Sequence, residues 1–175
     1  MSIIVVYKSK YGSTKTYARW IAEELRCEAI DAKSIKVDEL VKYDTIVYGG
    51  GLYAEVINGV ILITKNFDKL AGKKIVVFTT GITPLDCRDY YDKMVIEKNF
   101  KDKNMLDKIK VFNFLGKMKL DELSLVHRTA LKTLKKIMSS KENPTEMEKL
   151  LVDLCDADDD FTDREAIKEL IKYVK

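Results

Sequence analysis

Ser9-Lys10-Tyr11-Gly12-Ser13-Thr14-Lys15-Thr16 gathers four aliphatic hydroxyls, a glycine and two lysines in eight consecutive positions. An apolar run at 3–7 precedes it and a helical pattern at 14–26 follows it. N–H groups at a helix start, with the positive end of the helix dipole, attract an anion. Gly12 lets the backbone come close. This chemistry suits a terminal phosphate ringed by short neutral donors and helped by Lys15. The plainer alternative is a loop whose hydroxyls only cap the helix. The pattern G-x-x-x-x-G-K-[ST] occurs nowhere, so metal-dependent phosphoryl transfer lacks its loop. A phospho-receiver site would need acidic residues after the first strand, and that strand ends in Lys8-Ser9.

Two further stretches have the same character. Gly49-Gly50-Gly51-Leu52-Tyr53-Ala54 opens a loop that extends to Gly59. Its match to G-x-G-x-x-A is formal, because no helix opens after it and Asp68 comes too early for a ribose contact. Three glycines suit close approach of backbone to a flat ligand, with Leu52 and Tyr53 as its apolar and aromatic wall. Thr79-Thr80-Gly81-Ile82-Thr83-Pro84 repeats the mixture of hydroxyls and backbone donors and would rim the other side.

These loops need a scaffold, and the chain's patterning supplies one. Uninterrupted β-branched runs at 3–7 and 74–80 read as strands buried on both faces, and 45–48, 109–114 and a short stretch at 28–31 read as further strands. Helical patterns at 14–26, 37–42, 60–70 and 86–98 separate them. Alternation of this kind predicts an α/β fold, a doubly wound five-stranded parallel sheet in order 2-1-3-4-5. Such sheets bind ligands at the carboxyl ends of their strands, where all three loops lie. After Phe114 the alternation stops. A helix at 121–137 with the stripe Leu123, Val126, Ala130, Leu134 and Ile137 comes next. A capping box, Thr145 to Glu148, opens a short helix, and a second, Thr162 to Glu165, opens the terminal one. The chain therefore reads as a single domain over 1–175 with a helical insertion at about 116–160 before the last helix.

Composition narrows the function classes. Of 175 residues 46% are hydrophobic, enough for a real core, which excludes disorder. A net charge of +3 gives no basis for nucleic-acid binding. Cys27, Cys87 and Cys155 cannot all pair, and none stands at C-x-x-C spacing, so neither a disulfide scaffold nor a zinc ribbon is expected. Cys87 sits near a helix start that would favour its thiolate, although an inert thiol is the simpler reading. Asp156, Asp158 and Asp160 imitate the opening of a calcium loop, but Phe161 and Ile167 occupy its glycine and glutamate positions. No metal is expected. His127, the single histidine, lies on the insertion without a partner motif. Neither a secretory leader nor a membrane span is read, and a cytoplasmic location is expected.

At the three loops the chain resembles the flavodoxin family. Ser9-Lys10-Tyr11-Gly12-Ser13-Thr14 resembles that family's phosphate loop, which holds the FMN 5′-phosphate without metal. The 49–59 stretch resembles the loop flanking the flavin ring, and Thr80–Pro84 stands where the third FMN loop belongs. The resemblance covers residues 3–114 and the last helix. It implies FMN as cofactor, bound by Ser9, Lys10, Tyr11, Gly12, Ser13, Thr14, Gly50, Gly51, Leu52, Tyr53, Ala54, Thr80, Gly81, Ile82 and Thr83, with no catalytic side chain because the flavin carries the chemistry.

Gly49 to Ala54, Phe114-Leu115-Gly116-Lys117-Met118 and the insertion are most similar to the branch that includes menaquinone-dependent protoporphyrinogen oxidases. That implies an FMN-dependent oxidoreductase passing electrons to a quinone or a redox partner protein. A non-enzymatic electron carrier and a non-redox phosphate-binding module are the alternatives. Electron-shuttle flavodoxins are usually acidic and stack a tryptophan on the flavin. This chain is net positive, and its only tryptophan, Trp20, lies on the first helix. A less acidic surface penalises anionic reduced flavin less, so a less negative low-potential couple is expected. Residues 101–142 hold 11 basic and 5 acidic side chains, a net of +6. Arg128, Lys132, Lys135 and Lys136 crowd one side of the insertion helix. They form either a solvated face or a weak contact with the anionic inner face of a membrane.

Overall fold

The computed structural model describes residues 1–155 and 158–175. Five parallel strands form the sheet: β1 (Ile3–Lys8), β2 (Glu28–Asp31), β3 (Thr45–Tyr53), then β5 (Lys74–Gly81) and β6 (Ile109–Leu115). They lie in the order β2-β1-β3-β5-β6, the predicted 2-1-3-4-5. The label β4 belongs to Val56–Ile57, a two-residue strand that folds back antiparallel on the end of β3.

Alternation along buried strands splits the core into two layers. Ile4, Val6, Ile46, Tyr48, Ile75 and Val77 face one side. Leu40 of helix α2 (Val37–Leu40) and Ile63 of α3 (Ile61–Thr64) cover them, as does the helix running through the π-helical stretch Tyr90–Val95 into α4 (Ile96–Asn99). Val5, Tyr7, Val47, Val76 and Phe78 face the other side, under α1 (Ser13–Leu25). The single helix expected at 60–70 is two short pieces, α3 and a 3-10 turn at Asp68–Leu70, and α5 (Lys103–Lys108) was not foreseen.

The insertion is pinched at its base. Strand β7 (Lys117–Met118) pairs antiparallel with β8 (Asp159–Asp160), so the segment leaves and rejoins the domain at one point. Between them lie α6 (Leu125–Ser139) and α7 (Glu146–Leu154), the latter opened by the predicted Thr145–Glu148 capping box. The helix expected at 121–137 thus starts four residues late, and Val126 of its expected inner stripe is 75% exposed. Of the acidic run, Asp156 lies outside the described residues. The terminal helix α8 (Lys168–Val174) follows a 3-10 turn capped by Asp163, which accepts the Glu165 N–H at 2.9 Å, rather than by Thr162. The Tyr17 hydroxyl on α1 donates to the Leu115 carbonyl at 2.8 Å and accepts the Asp163 N–H at 3.0 Å. One phenol therefore fixes both flanks of the insertion.

The glycine triplet departs most from expectation. Gly49, Gly50 and Gly51 are strand, and the protein itself fills the room they leave. A Cβ on Gly49 would stand 2.1 Å from the Phe78 ring, and one on Gly50 would stand 2.6 Å from Ile57 and 2.7 Å from the Asn58 carbonyl. We expect Gly49→Ala to cost about 1–3 kcal/mol, the range for overpacking a dense core. Urea denaturation checks this, and unchanged stability would contradict it.

Candidate functional site

The carboxyl ends of β1, β3 and β5 open onto one cavity of about 530 Å³, within the range of about 300–1,000 Å³ usual for small-molecule sites. Its polar floor comes from the first loop. Gly12, at φ 98°, turns the chain into α1 and gives its N–H to Ser9 Oγ at 3.2 Å. Among the described residues no side chain caps α1, and its first internal bond is Thr16 N–H to the Gly12 carbonyl at 3.0 Å. The amides of that first turn are thus left to whatever lies before them. Ser13 Oγ accepts the Lys117 N–H at 3.0 Å and keeps its own proton to donate. Thr14 and Thr80 share a hydrogen bond at 2.7 Å, which leaves one hydroxyl proton of the pair for a ligand.

Leu52, Tyr53, Ile82 and Met118 form the apolar walls. Burial, and then Tyr11 nearby, pushes the Tyr53 phenol up to about 12, so it stays protonated. The roof is the insertion: Leu123, His127, Ala130, Leu131 and Leu134 all line the cavity. Its latch is a small polar network. Tyr11 Oη lies 2.7 Å from His127 Nδ1 and 3.3 Å from Ser124 Oγ, and Lys10 Nζ lies 3.5 Å from His127 Nε2. Lysine only donates, so Nε2 is the acceptor and Nδ1 carries the proton that Tyr11 accepts. The His127 ring also packs against the Tyr53 ring at 5.1 Å.

Desolvation, then the Lys10 charge, lowers the His127 pKa from its ordinary 6.5. Burial alone would raise the Tyr11 phenol, but its hydrogen bonds with Ser124 and the charge of Lys10 bring it below 10.0. For His127 the folded state favours the neutral ring. The latch's contribution is therefore complete above 6.5 and lost as pH falls through the lower, folded-state value. The facing groups are Lys10, Tyr11 and Tyr53, and of these only Lys10 is cationic at that pH. We expect proteolysis within the insertion to accelerate as pH falls below 6.5, while His127→Gln removes that dependence. A flat profile in the unaltered protein would contradict this.

Of the residues proposed from sequence, Ser9, Tyr11, Ser13, Thr14, Gly51, Leu52, Tyr53, Ala54, Thr80, Gly81 and Ile82 line the cavity. Four do not. Lys10 turns outward to His127, and Gly12 spends its N–H on Ser9. Gly50 packs on Ile57 and Asn58, and the Thr83 carbonyl accepts the Tyr91 hydroxyl at 2.6 Å. Lys15 is exposed, and the cation at this end of the cavity is Lys117. Glu55, Gly116 and the roof residues also line it and were not foreseen. Gly116, Lys117 and Met118 belong to the 114–118 segment that carries the resemblance, and Leu123, Ala130 and Leu134 to the apolar stripe of the insertion helix. Cys87 is no activated thiol, because burial and then Asp86 push its pKa up.

The family described as Flavodoxin domain matches residues 4–147. Nothing among the curated proteins matches the chain. Among solved structures, oxidised Flavodoxin 1 from Bacillus cereus is similar at 21% identity over 66% of this chain and 84% of that one, with a TM-score of 0.48. A WrbA-like flavodoxin from Agrobacterium tumefaciens is similar at 16% identity over 100% of both chains, with a TM-score of 0.46.

Proposed function

The chain belongs to the flavodoxin domain family, and from that premise we propose that it is an FMN-dependent oxidoreductase whose substrate enters beneath the insertion helix. FMN is the family's cofactor. The residues present fit it. The uncapped start of α1, with the Ser9, Ser13 and Thr14 hydroxyls beside it, suits a phosphate dianion. The slot between Leu52, Tyr53, Ile82 and Met118 suits a flat aromatic ring. When bound, the flavin supplies the electron chemistry. The protein's part is to bind it, to orient it between apolar walls and to cover it with the insertion.

The observation that carries the enzyme reading is that roof. Leu123, Ala130, Leu131 and Leu134 form an apolar inner surface over the cavity, which favours a flat apolar reactant over the exposed edge that a protein-to-protein shuttle needs. A quinone acceptor fits such a surface, and so does the macrocycle of a protoporphyrinogen-oxidase-like reaction. The family's usual work supports a second reading, a flavodoxin-type electron carrier with a protein partner.

We further propose a cytoplasmic protein that meets an anionic membrane surface through α6. Leu125 and Val126 are 78% and 75% exposed near Lys132 and Lys136. Arg128 does not serve there, because its guanidinium donates to the Leu120 and Asp121 carbonyls at 3.1 and 3.2 Å. No helix among the described residues is long and apolar enough to cross a membrane.

The visible absorbance spectrum, taken before and after adding FMN and removing the excess, tests the cofactor. Retained flavin bands are expected, and a colourless protein would point instead to a non-redox phosphate-binding module. FMN-dependent oxidation of protoporphyrinogen with a quinone present then separates enzyme from carrier.

A further inference from the structure

We propose that Asn99 and Lys98 are positioning residues for the bound cofactor, holding the pocket wall in a conformation its own residues resist. The inference rests on the FMN reading above. The wall is the turn between β3 and β4, where Ala54 and Glu55 both line the cavity. Their φ angles are 47° and 62°. Residues with a Cβ avoid this region, and two in succession persist only where the surroundings over-determine them.

Those surroundings come from the end of α4. Asn99 Nδ2 donates to the Glu55 carbonyl at 2.6 Å, and its Oδ1 accepts the Ile57 N–H at 2.9 Å, so one amide spans the turn. Lys98 Nζ donates to the Ala54 carbonyl at 2.7 Å and to the Glu55 carboxylate at 2.9 Å. Asn99 Nδ2 also reaches the Val95 carbonyl at 2.7 Å, at the end of the π-helical stretch Tyr90–Val95. A π-helical stretch changes which side chains a helix presents and recurs at functional sites. Here it delivers two consecutive residues to one turn. Neither Asn99 nor Lys98 lines the cavity, so both act through the turn.

The clasp has two separable effects. Asn99 fixes shape, and without it the turn relaxes toward negative φ and carries Tyr53 and Ala54 with it. Lys98 fixes shape and charge. The peptide between Ala54 and Glu55 is trans and planar, so with its carbonyl on Lys98 its N–H points the opposite way. Lys98 also neutralises a carboxylate at the pocket wall. Unpaired, that carboxylate would oppose the negative charge a flavin gains on reduction.

The test measures FMN affinity and midpoint potential in the full chain. Asn99→Ala is expected to weaken FMN binding at least tenfold. Adding Ala54→Gly, which removes strain that only a Cβ creates, is expected to recover most of the loss. Lys98→Met is expected to lower the midpoint potential, and adding Glu55→Gln to restore it. Native FMN affinity and potential in both single variants would overturn the inference. Lys98 is 47% exposed, so Lys98→Met decides if Asn99→Ala fails to fold. Should the unaltered protein retain no FMN, the cofactor reading fails, and hydrogen exchange of the Ile57 amide then tests the clasp. Protection lost in Asn99→Ala supports it, and equal exchange in both proteins overturns it.

Discussion

Replacing Lys117 with methionine lowers affinity for FMN about ten- to a hundredfold and leaves affinity for riboflavin unchanged. Hydrogen bonds to charged groups contribute about 1.5–3 kcal/mol, which sets that range. Lys117 lines the cavity, and its backbone N–H is anchored on Ser13 Oγ at 3.0 Å. Its Cε lies 3.7 Å from where a Cβ on Gly12 would stand, which puts the cation over the first loop. In the structure its ammonium pairs with Glu122. A phosphate dianion competes with that carboxylate, so Glu122→Gln is expected to raise FMN affinity. Fluorescence titration with the two flavins checks both variants. Equal loss for FMN and riboflavin would assign Lys117 to the wall rather than to the phosphate.

Excising the roof has a larger effect on rate than on fold. Lys117 faces Asp160 and Met118 faces Asp159 across β7 and β8, so an Asn-Gly turn can replace residues 119–158 without moving either strand. The shortened protein is expected to keep the parallel sheet, because both core layers are built outside the insertion. It is expected to release FMN at least tenfold faster, because His127, Leu131 and Leu134 no longer cover the cavity. Circular dichroism reports the first outcome and stopped-flow release of bound flavin the second. An unchanged release rate would mean that the roof does not hold the cofactor.

The sheet was legible because buried parallel strands are written as continuous β-branched runs, and Ile3 to Val6 or Ile75 to Val77 admit little else. The cavity's floor was legible because strand ends and helix starts fix where Ser9 to Thr14 must stand. The glycines at 49–51 misled because glycine reads as loop, whereas here its missing Cβ admits the Phe78 ring, the Ile57 side chain and the Asn58 backbone against a strand. The roof was only half legible. Periodicity reveals that the insertion helix has an apolar stripe but not what the stripe packs on. Leu123, Ala130 and Leu134 of the expected stripe do line the cavity, but Val126 and Ile137 are exposed, and His127 and Leu131 face inward instead. The clasp on Ala54 and Glu55 left no local trace, since it joins residues 44 positions apart.

The double anchorage of Tyr17 has a dynamic consequence. By fixing Leu115 and Asp163 to α1, it makes the base of the insertion a fulcrum, so the far end can rise while the sheet stays closed. Two classes of amide follow. In hydrogen exchange, those of 125–154 are expected to exchange through local openings of low free energy and those of β1, β3 and β5 only through global unfolding. Cofactor exchange is expected to follow the first class, which would let the protein replace its flavin without unfolding the sheet.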